Sequence, residues 1–125
     1  MMIHYITIGF GGAIGAIARV AIGKILPSTV IGGIPFPIMF VNIVGCFLIG
    51  LLTEIMALHW SPSENIKYLL ISGFLGGFTT FSTFALEFGV LVEKNELMHA
   101  MFYALLSFTL SIICFFIGIK IVRMF

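Results

Sequence analysis

The segment Gly73-Phe74-Leu75-Gly76-Gly77-Phe78-Thr79-Thr80 lies near the middle of a long apolar stretch that runs from about Ile66 to Val92. Adjacent glycines weaken a helix, and a threonine after them can cap a new one. We therefore expect the helix that contains this segment to stop and restart there. The alternative is an unbroken helix whose glycines allow close packing against a neighbour.

The composition of the chain requires a lipid environment. Of its 125 residues, 61% are hydrophobic and only 9% are charged, and the net charge is +1. A soluble domain carries about a quarter charged residues, so this chain could not cover its surface for water. A soluble enzyme is excluded, and the few scattered basic residues disfavour nucleic acid as a partner.

Four apolar stretches are each long enough to cross a bilayer, which takes roughly 20 residues. We name them span one to span four. They are separated by a Pro- and Gly-rich loop from Pro27 to Pro37, a polar turn in which Ser63 can cap the next helix, and a short charged connection. The first stretch lacks the basic start and cleavage site of a signal peptide, so we expect it to be retained. The chain is predicted to be an all-α, multi-pass protein of the plasma membrane or the bacterial inner membrane, with one transmembrane domain over residues 1–125 and spans at about 2–26, 38–58, 66–92 and 97–122.

Basic residues are equally numerous on the two predicted sides of the membrane. Lys and Arg are normally enriched on the cytoplasmic side. Here three stand on the side of the termini and three on the other, which predicts insertion in both orientations and an antiparallel, dual-topology homodimer. The alternative is a monomer or parallel oligomer whose orientation is set by a partner. The residues counted are Lys67, Lys120 and Arg123 on one side, and Arg19, Lys24 and Lys94 on the other.

Small residues repeat at a spacing of four in spans one and three, which lets helices approach closely in lipid. Arg19 continues one of these stripes near the end of span one, where it either reaches the interface or has a buried structural or ion-attracting role. Cys46 and Cys114 fall inside spans two and four, where each is expected to act as a small hydrophobic side chain rather than in a disulfide or metal site. The small pairs are Gly11 with Gly15, Gly12 with Ala16, and Gly73 with Gly77.

A helix interrupted at mid-membrane would expose its backbone, which is tolerated only against protein or a water-filled path. The carbonyl groups that end the first half favour a cation, and the amide groups that begin the second favour an anion. In an antiparallel pair, the two interruptions could offer several carbonyl groups to one small cation.

Aromatic and polar side chains form lines along three of the spans. Polar residues in such helices usually serve as hydrogen-bonding glue between helices. Three lines together favour a path for a small anion, because ring edges carry partial positive charge and hydroxyl and amide groups donate hydrogen bonds. The lines are Phe81, Phe84 and Phe88 beside Thr80, Thr83 and Glu87 in span three, Tyr103, Ser107 and Ser111 in span four, and Asn42 in span two.

Three segments of the chain resemble signature segments of the small fluoride channel family (Fluc/CrcB), and the resemblance extends over essentially the whole sequence. Ile38 departs from it, because the family usually has threonine at this position. The segments are Gly11-Gly12-Ala13-Ile14-Gly15-Ala16-Ile17-Ala18-Arg19, Val41-Asn42-Ile43-Val44-Gly45-Cys46-Phe47, and Gly73-Phe74-Leu75-Gly76-Gly77-Phe78-Thr79-Thr80-Phe81-Ser82-Thr83-Phe84.

The resemblance implies a passive fluoride channel with two antiparallel pores, through which toxic fluoride leaves the cell. It also implies a central sodium ion held by the main-chain carbonyl groups of Gly76 and Thr79. The pore residues that it implies are Phe81 and Phe84 as ring-edge contacts, Asn42 as the amide, Ser82 within the matching segment, Tyr103, Ser107 and Ser111 as the polar track, and Thr83 and Glu87 beside that track.

Two other functions remain open from the residues alone. A proton-coupled exporter of cationic compounds is also short, four-span and dual-topology, but it needs an ionisable carboxylate at mid-membrane, for which Glu87 is the only candidate. A non-transporting subunit of a larger complex would leave the polar lines unexplained.

Overall fold

The computed structural model describes residues 2–27, 29–31 and 33–125, and four of its helices are long and apolar enough to cross a membrane. This confirms the predicted number of spans. Ser28 and Gly32 of the predicted loop, and Met1, lie outside the described residues. The four helices are Met2–Ile25 (α1), Pro37–Leu58 (α2), Glu64–Glu93 (span three) and Leu97–Arg123 (α6).

The loop between α1 and α2 contains a small antiparallel hairpin that the sequence analysis does not predict. Its strands are Thr29–Ile31 (β1) and Ile34–Pro35 (β2), and Gly33 between them has a φ of +84°, which favours glycine. Ile34 is only 2% exposed. Two strands this short have little stability alone, so burial of Ile34 against the helices holds the hairpin in place.

Span three is the least regular of the four. It consists of Glu64–Lys67 (α3), a π-helical stretch Tyr68–Leu75, Gly76–Phe78 (α4) and Ser82–Glu93 (α5). The predicted capping role of Ser63 is confirmed, because its side chain accepts a hydrogen bond from the backbone nitrogen of Ile66 at 3.4 Å. The π-helical stretch is not predicted by the sequence, since a wider turn has no simple residue pattern.

Glycines bring the backbones of α1 and span three into contact. A Cβ atom on Gly11 would lie 2.5 Å from the carbonyl oxygen of Leu69, and one on Gly77 would lie 2.5 Å from that of Gly12. A Cβ on Gly15 would overlap the carbonyl oxygen of Phe74. The close approach predicted from the small-residue spacing is therefore present between these two spans.

We predict that Gly15→Ala destabilises the protein by about 1–3 kcal/mol, because the new methyl group overlaps backbone that cannot move away independently. Gly23→Ala is the matched control on the same helix, since a Cβ there meets nothing within 4 Å. It should stabilise the helix slightly. Thermal unfolding in detergent measures both, and equal melting temperatures for the two variants would contradict the prediction.

The second pair of packed helices is α2 with α6. A Cβ on Gly50 would overlap the carbonyl oxygen of Phe115, and one on Gly118 would lie 2.5 Å from that of Phe47. Near the ends of these helices, Arg123 donates a hydrogen bond to the carboxylate of Glu54. A buried cluster joins this pair to α5 and the hairpin, and it consists of Ile34, Met39, Leu91, Ala100 and Tyr103.

Candidate functional site

Backbone geometry changes within span three at Thr79, which has extended dihedral angles of φ −86° and ψ 152°. The adjacent glycines are themselves helical, and the non-helical residues follow them at Thr79, Thr80 and Phe81. The backbone nitrogen of Thr83 donates to the Thr80 hydroxyl at 3.3 Å, so Thr80 provides a side-chain acceptor for the first turn of α5. The helical Gly77 packs against the backbone of Gly12.

Asn42 of α2 holds the extended residues in place. Its Nδ2 donates to the carbonyl oxygen of Thr80 at 2.9 Å, and its Oδ1 accepts from the backbone nitrogen of Thr80 at 2.8 Å. Both backbone groups of Thr80 are thus satisfied by one side chain, as they would be in a β-sheet. The Asn42 amide keeps one further N–H for another acceptor.

A cavity of about 300 Å³ opens beside this pairing. It brings together six residues that the sequence analysis selected as candidates, from three different spans. Four further residues also line it. Thr80 belongs to the polar line of span three, and the other three were not selected, because an isolated Cys, Phe or Ile in a membrane helix gives no distinguishing signal. The selected lining residues are Asn42, Thr79, Phe81, Phe84, Ser107 and Ser111, and the others are Cys46, Thr80, Phe108 and Ile112.

Phe84 is the centre of the aromatic wall. Its ring centroid lies 5.5 Å from that of Phe81, 5.0 Å from that of Tyr103 and 6.5 Å from that of Phe88, and all three pairs are tilted. The edges of these rings carry partial positive charge. Phe81 is 78% exposed in the single chain.

Tyr103 and Ser107 differ in how their hydroxyl groups are satisfied. Tyr103 is completely buried and is not one of the residues that line the cavity. Its hydroxyl donates a hydrogen bond to Glu87 at 2.7 Å. Ser107 is among the residues that line the cavity, but its hydroxyl oxygen is buried and has no hydrogen-bond partner among the described residues. A buried polar group without a partner costs about 1–3 kcal/mol.

A second cavity, of about 750 Å³, receives other candidates. Arg19, Thr83 and Glu87 line it, together with Ile38, so the predicted site residues divide between two cavities. Tyr103 connects the linings of the two cavities, because its ring contacts Phe84 of the smaller cavity and its hydroxyl bonds to Glu87 of the larger one.

Arg19 and Ser82 lie outside the smaller cavity. The Nε of Arg19 donates to the carbonyl oxygen of Gly77 at 3.1 Å, near the end of α4 where helix carbonyl groups lack partners. Ser82 is exposed, and its hydroxyl lies 3.2 Å from that of Thr80. Ser82 lines neither of the two cavities.

Four spans that are long and apolar enough to cross a bilayer define the chain as a multi-pass membrane protein. A family profile described as "CrcB-like protein, Camphor Resistance (CrcB)" matches residues 6–119. The chain therefore belongs to the CrcB-like family, which confirms the resemblance seen in the sequence.

Relatives named "Fluoride-specific ion channel FluC" match nearly the whole chain. The protein of Rhizobium johnstonii is 38% identical and that of Agrobacterium fabrum 39% identical, each over 98% of both chains. The protein of Chlorobium phaeobacteroides is 36% identical over 95% of this chain and 92% of its own.

Proposed function

We propose that the protein is a channel that conducts fluoride passively across the membrane and lets it leave the cytoplasm. The observation that carries the proposal is the smaller cavity, whose wall combines phenylalanine rings with hydroxyl and amide donors and contains no Lys or Arg among the described residues. Weak dipoles of this kind can replace part of the water around a small anion without trapping it. The name shared by the relatives supports fluoride as that anion.

The activity is tested with purified protein in liposomes loaded with fluoride. An ion-selective electrode should record fluoride efflux once the membrane potential is relieved, whereas chloride-loaded vesicles should show none. Efflux should need no pH gradient, which separates a channel from a proton-coupled exporter. A correctly folded preparation that releases no fluoride would overturn the proposal.

No structural observation favours the exporter. Its only candidate carboxylate, Glu87, accepts a hydrogen bond from the buried Tyr103. An exporter requires the carboxylate of Glu87 to bind a proton and the cationic substrate in turn.

We further propose that two chains of opposite orientation form the working dimer, with one pore on each side. Balanced basic residues support this, as does the large exposed fraction of Phe81, which leaves its ring free to complete a wall with a second copy. Reporter domains fused to the carboxyl terminus should become active on both sides of the membrane. Activity on one side alone would contradict dual topology.

A central sodium ion is the third part of the proposal. Among the described residues, no hydrogen bond reaches the carbonyl oxygen of Gly76 or of Thr79, which leaves both as hard oxygen ligands. One chain offers two such ligands and two chains offer four, and hard cations require several. The ion would supply a fixed positive charge between the copies. Fluoride efflux should fall when N-methylglucamine replaces sodium in every buffer, from solubilisation of the protein to the efflux assay. Unchanged efflux would contradict the sodium site.

A further inference from the structure

Arg19 of α1 reaches the interruption of span three. Its side chain is half-buried, and its Nε donates to the carbonyl oxygen of Gly77 at 3.1 Å. In the part of the chain that the structure describes, no carboxylate forms an ion pair with it. Ionisable side chains within membrane spans are costly and pair with one another or with backbone carbonyl groups. The bond to Gly77 is therefore the contact that determines where this guanidinium group lies.

The packing of α1 against span three places Arg19 at this carbonyl group. A Cβ on Gly11 would meet the carbonyl oxygen of Leu69, and a Cβ on Gly15, one turn later, would meet that of Phe74. The two helices therefore run in the same direction where they touch. Arg19 follows Gly15 by one further turn on the same face, which brings its side chain beside the end of α4.

An uninterrupted helix would itself use the carbonyl groups of Gly76 and Gly77. They would accept from the backbone nitrogens four residues later. In this structure the first of those nitrogens, that of Thr80, donates instead to the Oδ1 of Asn42 at 2.8 Å. The interruption thus releases both carbonyl groups from the helix. Arg19 covers that of Gly77, whereas no hydrogen bond among the described residues reaches that of Gly76.

We propose that Arg19 positions the sodium ligands through the Gly77 carbonyl group, a role that depends on the proposed sodium site. Gly77 lies between the two ligands in the chain, and glycine restrains its own peptide groups least. The bond from Arg19 holds the peptide group next to that of Gly76 and keeps the Gly77 oxygen out of the ligand set. Removing a group that orients metal ligands typically costs about 10- to 100-fold in metal affinity.

The charge of the guanidinium group acts on a cation in the opposite sense, because like charges repel. Two neutral variants separate the hydrogen bond from the charge. The Nε of arginine and the Nε2 of glutamine are both attached to Cδ, so Arg19→Gln keeps a donor at the same distance along the side chain. Arg19→Met has the same length and the same lack of charge, but it cannot donate a hydrogen bond.

Sodium-dependent thermal stability in detergent tests the role without measuring flux, because an ion that binds the folded protein raises its melting temperature. N-methylglucamine replaces sodium so that the ionic strength stays constant. Arg19→Met should need at least about tenfold more sodium than Arg19→Gln for half of its maximal stabilisation. Equal sodium requirements in the two variants would overturn the positioning role alone. A native chain that sodium does not stabilise would overturn the proposed sodium site and this role with it.

A second measurement uses the native chain and does not depend on the folding of a variant. In protein with isotope-labelled glycine carbonyl groups, sodium should shift the nuclear magnetic resonance signal of the Gly76 carbonyl. The signal of Gly77 should stay in place, because its oxygen is held by Arg19. A shift of Gly77 as large as that of Gly76 would place the Gly77 oxygen among the ligands and overturn the proposal.

Discussion

Replacing Phe84 by isoleucine is expected to reduce fluoride efflux about tenfold while the protein remains folded. The ring of Phe84 contacts those of Phe81 and Tyr103 and forms the centre of the aromatic wall. Isoleucine fills a similar volume but has no ring edge with partial positive charge. Loss of one such contact costs about 1 kcal/mol, which is several-fold to tenfold in rate.

Phe81→Ile should have a comparable effect, and the double variant should be more severely impaired. Phe116→Ile is the matched control, because Phe116 is an exposed ring on α6 that lines neither described cavity. Electrode-recorded efflux from liposomes, normalised to the amount of reconstituted protein, gives the comparison. Full efflux in both Phe81→Ile and Phe84→Ile would eliminate the ring-edge mechanism.

Asn42→Leu is expected to have a still larger effect, because it acts on both stability and flux. The substitution removes the donor to the Thr80 carbonyl and the acceptor from the Thr80 nitrogen. Each unsatisfied backbone group costs about 1–3 kcal/mol, so the loss of stability is about 2–6 kcal/mol. Thr53→Val is the control, since the Thr53 hydroxyl donates to the carbonyl groups of Ile49 and Gly50 in its own helix.

Asn42→Asp separates the two effects. Aspartate keeps an oxygen that can accept from the Thr80 nitrogen, but it cannot donate to the Thr80 carbonyl and it places a negative charge in the cavity wall. Efflux should therefore be lost while much of the folded protein is retained in detergent. Thermal unfolding and efflux measured on the same preparations distinguish the outcomes. Asn42→Asp with native efflux would contradict a role for this amide in an anion path.

The sequence predicts the framework of the site because its signals are local. Spacing of small residues indicates which helices can approach, and the Gly11 and Gly15 contacts agree with that spacing. Lines of polar residues select Ser107 and Ser111, which the structure places in one cavity with Asn42. Periodicity cannot reveal which hydrogen-bond partner each polar side chain has. The pairing of Asn42 with the backbone of Thr80 is an example.

Other features have no local pattern at all. The hairpin buries Ile34 against residues of α5 and α6 that are distant in sequence, and the π-helical stretch before Gly76 packs against α1. The contact between Arg19 and the Gly77 carbonyl likewise joins two spans. Each involves contacts between spans, which no local sequence pattern specifies.

By itself, the sequence determined that the chain is embedded in a bilayer and how many times it can cross that bilayer. It also determined which helix faces carry small, aromatic or polar residues. These properties follow from composition and period, since the cost of exposing charge to lipid and the geometry of a helix act within each segment. Tertiary structure alone decided that Asn42 holds Thr80 extended, that Tyr103 bonds to Glu87, and that the buried Ser107 hydroxyl has no partner within the described part of the chain. A polar group in lipid has to find its partner in another helix, and packing determines which helix that is.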